Sequence, residues 1–264
     1  MILALIDNGS LEPAATLNLR NVAAALSRRC GAEVHPVSWK HSDRIPAADL
    51  GGKRAWTLNG FVREHVARGE RRFLFVPFFI SAQGAIGSAL RHELEALQAE
   101  LPRFDFTFLP GLAALRIIPR LVAGRIRETL TATGLARPPV VIVDHGGPAR
   151  ASADLRDRLS QEIRTELGPD VDSLAAASME GCFPPLLTDL LRGPSLAGRA
   201  VIVAPLFLSP GRHAGPGGDI ARICRESPAR CHLTALVGTH PLALDALAAA
   251  LQPALAQFHT PSFA

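Results

Sequence analysis

One apolar strand pattern occurs twice in this chain. Met1 to Ser10 reads MILALIDNGS and Pro139 to Gly147 reads PVVIVDHGG, each an apolar run leading into Asp, one polar residue and Gly. Farther on, Phe73 to Ser81 (FLFVPFFIS) matches Val201 to Ser209 (VIVAPLFLS), each with a mid-strand Pro and a terminal Ser. A repeated supersecondary unit restricts the fold to two similar bodies. The copies part where chemistry would sit. His145, Glu180 and His213 of the second copy stand where the first has Asn8, Lys40 and Ala85. One equipped copy and one bare copy point to a single active site.

Between these strands the periodicity alternates. In the first copy, strand-like runs at Ile2 to Asp7, Glu33 to Ser38, Arg72 to Ile80 and Asp105 to Leu109 are separated by helical patterns near Pro13 to Arg29, Thr57 to Gly69 and Ser88 to Glu100. A closing helix follows at Ile118 to Thr133. On the first helix Leu19, Val22, Ala23 and Leu26 recur at i, i+3, i+4 and i+7, and Pro13 falls in the first turn, where no amide donor is missed.

The second copy repeats this order, with strands at Val140 to Asp144, Ser173 to Ser178, Ala200 to Leu208 and His232 to Val237. Its first helix carries Leu155, Leu159, Ile163 and Leu167 on one face, and helices at Pro185 to Arg192, Asp219 to Ser227 and Leu242 to Phe258 complete it. Apolar strands alternating with helices predict parallel sheets covered on both faces. The expected fold class is α/β, with two tandem domains, each a four-stranded parallel sheet flanked by helices. Gly134, Arg137, Pro138 and Pro139 break the helix pattern, which divides the chain into residues 1–135 and 139–264.

A chain of 264 residues with 48% hydrophobic and 20% charged content suits two modest soluble domains. No apolar run approaches the roughly 20 residues of a membrane span. Met1 leads straight into a strand without a basic segment or cleavage site, so the expected location is the cytoplasm. Cys30, Cys182, Cys224 and Cys231 form no CxxC pair and are expected as reduced thiols, not a disulfide framework or a metal cluster. The net charge of +4 is compatible with an anionic substrate, and it is too small and scattered for nucleic acid.

Ligands of an open parallel sheet bind beyond the carboxyl ends of its strands. His145, Glu180 and His213 follow the first, second and third strands of the second copy and are expected on one rim. Imidazole nitrogens bind divalent Co, Fe, Ni or Zn, and a carboxylate can complete such a site or take protons. The segment Ser209 to Asp219 (SPGRHAGPGGD) is glycine-rich and runs into a helix that Asp219 is placed to cap. Its glycines would let a flat ligand approach the backbone. Arg150, Ser209, Gly211, Arg212 and Gly215 are therefore candidate substrate contacts. Ser81 and Ser209 are expected to set strand exits. Trp39 and Trp56 are expected in core packing. No GK[ST], GxGxxG or GxSxG motif supports a nucleotide or acyl-transfer site.

The strand followed by His145 and Gly146, the LFLSPGRH segment ending at His213, and the intervening Glu180 resemble the class II chelatases of the sirohydrochlorin cobaltochelatase/ferrochelatase (CbiX/SirB-like) family. The resemblance covers nearly the whole chain, once per half, and departs at Gly147, where the family commonly has Ser. It implies two flavodoxin-like domains that insert a divalent metal, Co²⁺ or Fe²⁺, into a tetrapyrrole without ATP or any further cofactor. It also implies that His145 and His213 hold the metal and accept pyrrole protons, assisted by Glu180. The first half would serve as the silent partner of a monomer that mimics a dimer. Two other readings stand beside this one: a non-catalytic tetrapyrrole or metal carrier with the same fold, and an unrelated Rossmann-like protein that binds an anionic metabolite.

Overall fold

The computed structural model describes residues 1–80 and 85–259. The strand exit expected at Ser81 lies outside them. Contacts group the chain into two compact units, one of Met1–Arg116 together with the chain from Pro241 onward, the other of Ile117–His240.

In the first unit β1 (Ile2–Asp7), α1 (Pro13–Cys30), β2 (Val34–Ser38), β3 (Trp56–Thr57), α2 (Leu58–Ala67), β4 (Arg72–Pro77), α3 (Ala85–Glu100) and β5 (Asp105–Phe108) follow in order. The strands form one parallel sheet ordered β3-β2-β1-β4-β5. The sheet thus has five strands where four were expected. The addition is the two-residue β3, too short to show a period of its own. On α1 the expected stripe Leu19, Val22, Ala23 and Leu26 is buried, and the helix stops at Gly31 in the left-handed conformation. Phe61, Phe73, Phe75 and Phe104 anchor the core on one face of this sheet. Trp39 packs against that cluster and donates to Glu93 at 2.7 Å, whereas Trp56 is 40% exposed and lies outside the core.

In the second unit α4 (Ile118–Thr133), β6 (Val140–Gly147), α5 (Arg150–Leu167), β7 (Leu174–Gly181), α6 (Leu187–Arg192), β8 (Ala200–Pro205), α7 (Asp219–Glu226) and β9 (Arg230–Leu233) build a four-stranded parallel sheet ordered β7-β6-β8-β9. Val141, Val143, Val201 and Val203 from its two central strands pack with Leu187 and Leu191. The last strand lies nearer the N-terminus than the apolar run His232 to Val237 predicts, because pairing with β8 ends at Leu233.

The units do not follow the division at residues 135 and 139. Helix α4 packs on α5 and β8, in the second unit, while α8 (Pro241–His259) packs on α1, in the first. An amphipathic stripe says that a helix buries one face, but not which sheet receives it. Among the described residues no helix is long and apolar enough to cross a membrane.

The repeat is exact at the tips of the central strands. Gly9 and Gly146 have φ of +81° and +80°, and a Cβ on either would lie 1.8 Å from a carbonyl oxygen, that of Lys40 or of Glu180. Only glycine fits where the chain crosses the next strand this closely. The Asp before each glycine is held alike: Asp7 accepts the Gly9 amide at 2.9 Å and bonds Ser38, while Asp144 accepts the Ser178 hydroxyl at 2.6 Å. Burial raises the Asp7 carboxyl to about 6 from an ordinary value of 3.8, against the bonds from Ser38 and Gly9 that favour the anion.

The folded state therefore holds this proton more tightly than the unfolded chain. Stability is lost as pH rises from about 4 to about 6, and a cost of roughly 3 kcal/mol is fully present above that window. Asp7→Asn is expected to remove the slope in urea melts across the same range; an undiminished slope would mean that other groups cause it.

Candidate active site

His145 follows Asp144 on β6, and Glu180 lies opposite Gly146 in the β6–β7 register. His213 comes from the segment between β8 and α7. The folded chain brings the three together at the carboxyl rim of the second sheet. The imidazole rings of His145 and His213 meet edge to face with centroids 4.9 Å apart. His145 Nδ1 lies 3.2 Å from the Gly146 carbonyl and 3.6 Å from Glu180 Oε1, and His213 Nδ1 lies 3.0 Å from Asp219 Oδ2.

These partners set the protons. Each Nδ1 faces an oxygen that can only accept, so in the neutral ring Nδ1 carries the hydrogen and Nε2 keeps a lone pair. Asp219 is suited to this role, since the hydrogen bond from Arg222 holds its carboxyl below the usual carboxylate range and His213 lowers it further. The rings differ in shelter: the His145 side chain is 54% exposed and that of His213 only 13%. Two lone-pair nitrogens and one carboxylate can bind a divalent cation loosely and can take up protons. Among the described residues no group of three or more His, Cys, Asp or Glu side chains is arranged as it stands to hold a metal ion.

His213 and Glu180 line a cleft of about 300 Å³ whose charged walls include Arg192, Arg212, Asp219 and Arg222. Arg212, 3.7 Å from Asp219, lines this cleft. Arg150 does not line it; it opens α5, pairs with Asp154 at 2.9 Å and lies over the Phe183 ring. Ser209, Gly211 and Gly215 belong to the segment on either side of His213 and do not line the cleft, and the Gly211 amide is taken by the Ala214 carbonyl at 2.7 Å. Asp219 is not a helix cap: Gly218 occupies that position, and Asp219 bonds His213 instead. Its placement six residues after the histidine, at a helix start, was the available signal. Arg192 and Arg222 carried none beyond their charge.

Beneath the rim lies a buried cation that the sequence pattern concealed. Arg156 on α5 is 3% exposed and donates to the Ser178 hydroxyl at 2.7 Å, the Phe183 carbonyl at 3.2 Å and Asp157 at 2.8 Å. Ser178 in turn donates to Asp144, whose carboxyl is raised by burial and drawn back down by Ser178 and Arg156. The chain of bonds runs from the helix through β7 to the residue preceding His145.

The fold that holds this rim, two parallel α/β units in one chain, is that of the sirohydrochlorin chelatases. SirB from Bacillus subtilis, solved with Fe³⁺, matches with a TM-score of 0.70 at 15% identity over 98% of this chain and 97% of that one. CbiX, the terminal enzyme for siroheme biosynthesis in denitrifying bacteria, matches with a TM-score of 0.66 at 19% identity over 96% of this chain and 98% of its own. The sirohydrochlorin chelatase SirB from Bacillus subtilis subspecies spizizenii, solved with cobalt, gives 0.66 at 14% identity over 96% and 94%. No protein-family profile and no curated protein sequence matches the chain. At these identities the likeness is one of fold.

Two outcomes are expected of the geometry itself. Arg156→Met leaves Ser178 and the carbonyls of Phe183 and Pro184 without their donor and is expected to cost about 3 kcal/mol in urea denaturation. A loss below about 1 kcal/mol would show the buried network to be dispensable. In ¹⁵N NMR at fixed pH, neutral His213 should hold its hydrogen on Nδ1, and Asp219→Ala should release it to Nε2. An unaltered tautomer would remove Asp219 from the site.

Proposed function

We propose that this chain inserts a divalent metal, Co²⁺ or Fe²⁺, into sirohydrochlorin without ATP, as a class II chelatase of cobalamin or siroheme biosynthesis. One observation carries the reading: His145 and His213 converge, with Glu180 beside them, at the rim of a fold shared with sirohydrochlorin chelatases. The same reading makes the protein a cytoplasmic monomer in which the first unit lacks a site of its own.

The chemistry suits the residues. As the metal enters the macrocycle, two pyrrole N–H protons must leave, so charge balances with no other reactant. Imidazole Nε2 atoms first hold the metal, and each lone pair freed when the metal passes to a pyrrole nitrogen can take a proton. Glu180 supplies negative charge for the incoming cation and a second proton acceptor. Asp219 keeps the His213 lone pair on the nitrogen away from itself. Arg212 and Arg192 in the cleft offer partners for the carboxylates of the substrate, whereas Arg150, engaged with Asp154, contributes less.

Purified protein supplied with sirohydrochlorin and, in parallel, Co²⁺, Fe²⁺ or Ni²⁺ tests the proposal and ranks the metals. His145→Ala and His213→Ala are each expected to slow insertion at least about 100-fold, and Asn8→Ala to leave it unchanged. Wild-type rates in both histidine variants would end the assignment. Tight binding of macrocycle and metal without turnover would instead identify a carrier.

A further inference from the structure

The first unit contains a cavity of about 380 Å³ that the proposed reaction leaves unused. It lies between α1, which contributes Thr16, Leu19 and Arg20, and the outer edge of β2 at Pro36, and it is closed by the segment Lys53 to Trp56. Strand β3 pairs only with Val37 and Ser38, so it stops short of Pro36, which has no amide to offer.

Three independent features point to a ligand. First, the cavity wall is cationic. Arg20, Lys53 and Arg54 line it, and no Asp or Glu does among the described residues. The Arg20 guanidinium donates to the carbonyls of Leu50, Lys53 and Arg54 at 2.6, 2.7 and 3.2 Å. It thereby clamps the segment that carries the other two charges. Second, Trp56 presents an indole that is 40% exposed, held edge-on by Phe61 with centroids 6.0 Å apart. Large aromatic side chains at a cavity mouth are characteristic of ligand sites. Third, Thr16 is 4% exposed, and its hydroxyl is the one buried side-chain polar atom without a hydrogen-bond partner among the described residues. Buried polar groups are nearly always satisfied, so such an orphan calls for a partner that the protein does not supply.

We propose that this cavity binds a small aromatic anion, an aryl carboxylate or an aryl phosphate. Its flat body lies against Trp56, Leu19 and Pro36, its acid group meets Lys53 and Arg54, and one of its polar atoms satisfies Thr16. The site involves the first unit alone and stands or falls independently of metal insertion.

Full-length protein titrated with phthalate, phenyl phosphate and inorganic phosphate, followed by tryptophan fluorescence and calorimetry, tests this. One aryl anion per chain should bind saturably and alter Trp56 emission, and whichever of the two binds tighter identifies the acid group. Inorganic phosphate should bind at least about tenfold more weakly, and the double variant Lys53→Glu/Arg54→Glu, at two exposed positions, should lose about tenfold in affinity. Thr16→Val should weaken binding while Thr16→Ser retains it. Absence of saturable binding by both aryl anions, equal binding of inorganic phosphate, or unchanged affinity in the double variant would overturn the proposal.

Discussion

A carboxyl at the tip of each central strand, buried at Asp7 and half-buried at Asp144, organises each unit. Asp144 reaches across to Ser178 on the neighbouring strand, and Gly146 then passes within contact of the Glu180 carbonyl, which only a residue without a side chain permits. That crossing fixes where His145 leaves the sheet and which residue of β7 stands beside it. Asp7, Ser38, Gly9 and Lys40 reproduce the bracket in the first unit. What they do not reproduce is the support below. Helices α1 and α5 are both 18 residues long and start at the same spacing after the matched Asp7 and Asp144, which puts Leu19 where the second unit has Arg156. One unit sets a leucine beneath its bracket and the other a guanidinium bonded to Ser178. The scaffold was duplicated; the polar foundation under the site was not.

Much of this fold was legible because buried parallel strands appear in sequence as continuous apolar runs, and the central pair of each sheet carries such runs twice. The α1 stripe was equally plain. The parts that stayed hidden have specific causes. On α5 the apolar periodicity passes through Leu155, which is only half-buried, while the position that enters the core is Arg156. A cation at a core position defeats binary patterning, since the pattern counts it as surface. β3 is too short for any periodicity to register. The allocation of α4 and α8 is a tertiary choice on which local sequence is silent.

His145, Glu180 and His213 stood out for a different reason. The first copy serves as an internal control, and departures from it at Asn8, Lys40 and Ala85 mark positions where scaffold demands alone do not dictate the residue. Asp219 was visible but open to two local interpretations. An acid at a helix start serves either as a cap or as the partner of something preceding the helix. The φ of −73° and ψ of 172° at Gly218 give the cap position to glycine and free the carboxylate for His213. Trp56 misled in the opposite sense: its bulk suggests core, yet a place on an edge strand leaves the indole open.

The unequal shelter of the two imidazoles bears on how a metal would pass through such a site. A cation that is substrate and not resident must be held by few ligands, because each additional one deepens the well from which it has to leave. His145, more than half exposed, can exchange a hydrated metal with solvent at little desolvation cost. His213 is largely withdrawn from water and its Nδ1 is tied to Asp219, which fixes the ring and its tautomer and makes Nε2 the less mobile of the two donors. In the proposed reaction the exposed ring therefore captures the ion and the sheltered ring aligns it, and Asp219, by fixing His213 as a donor, sets the balance between retention and transfer.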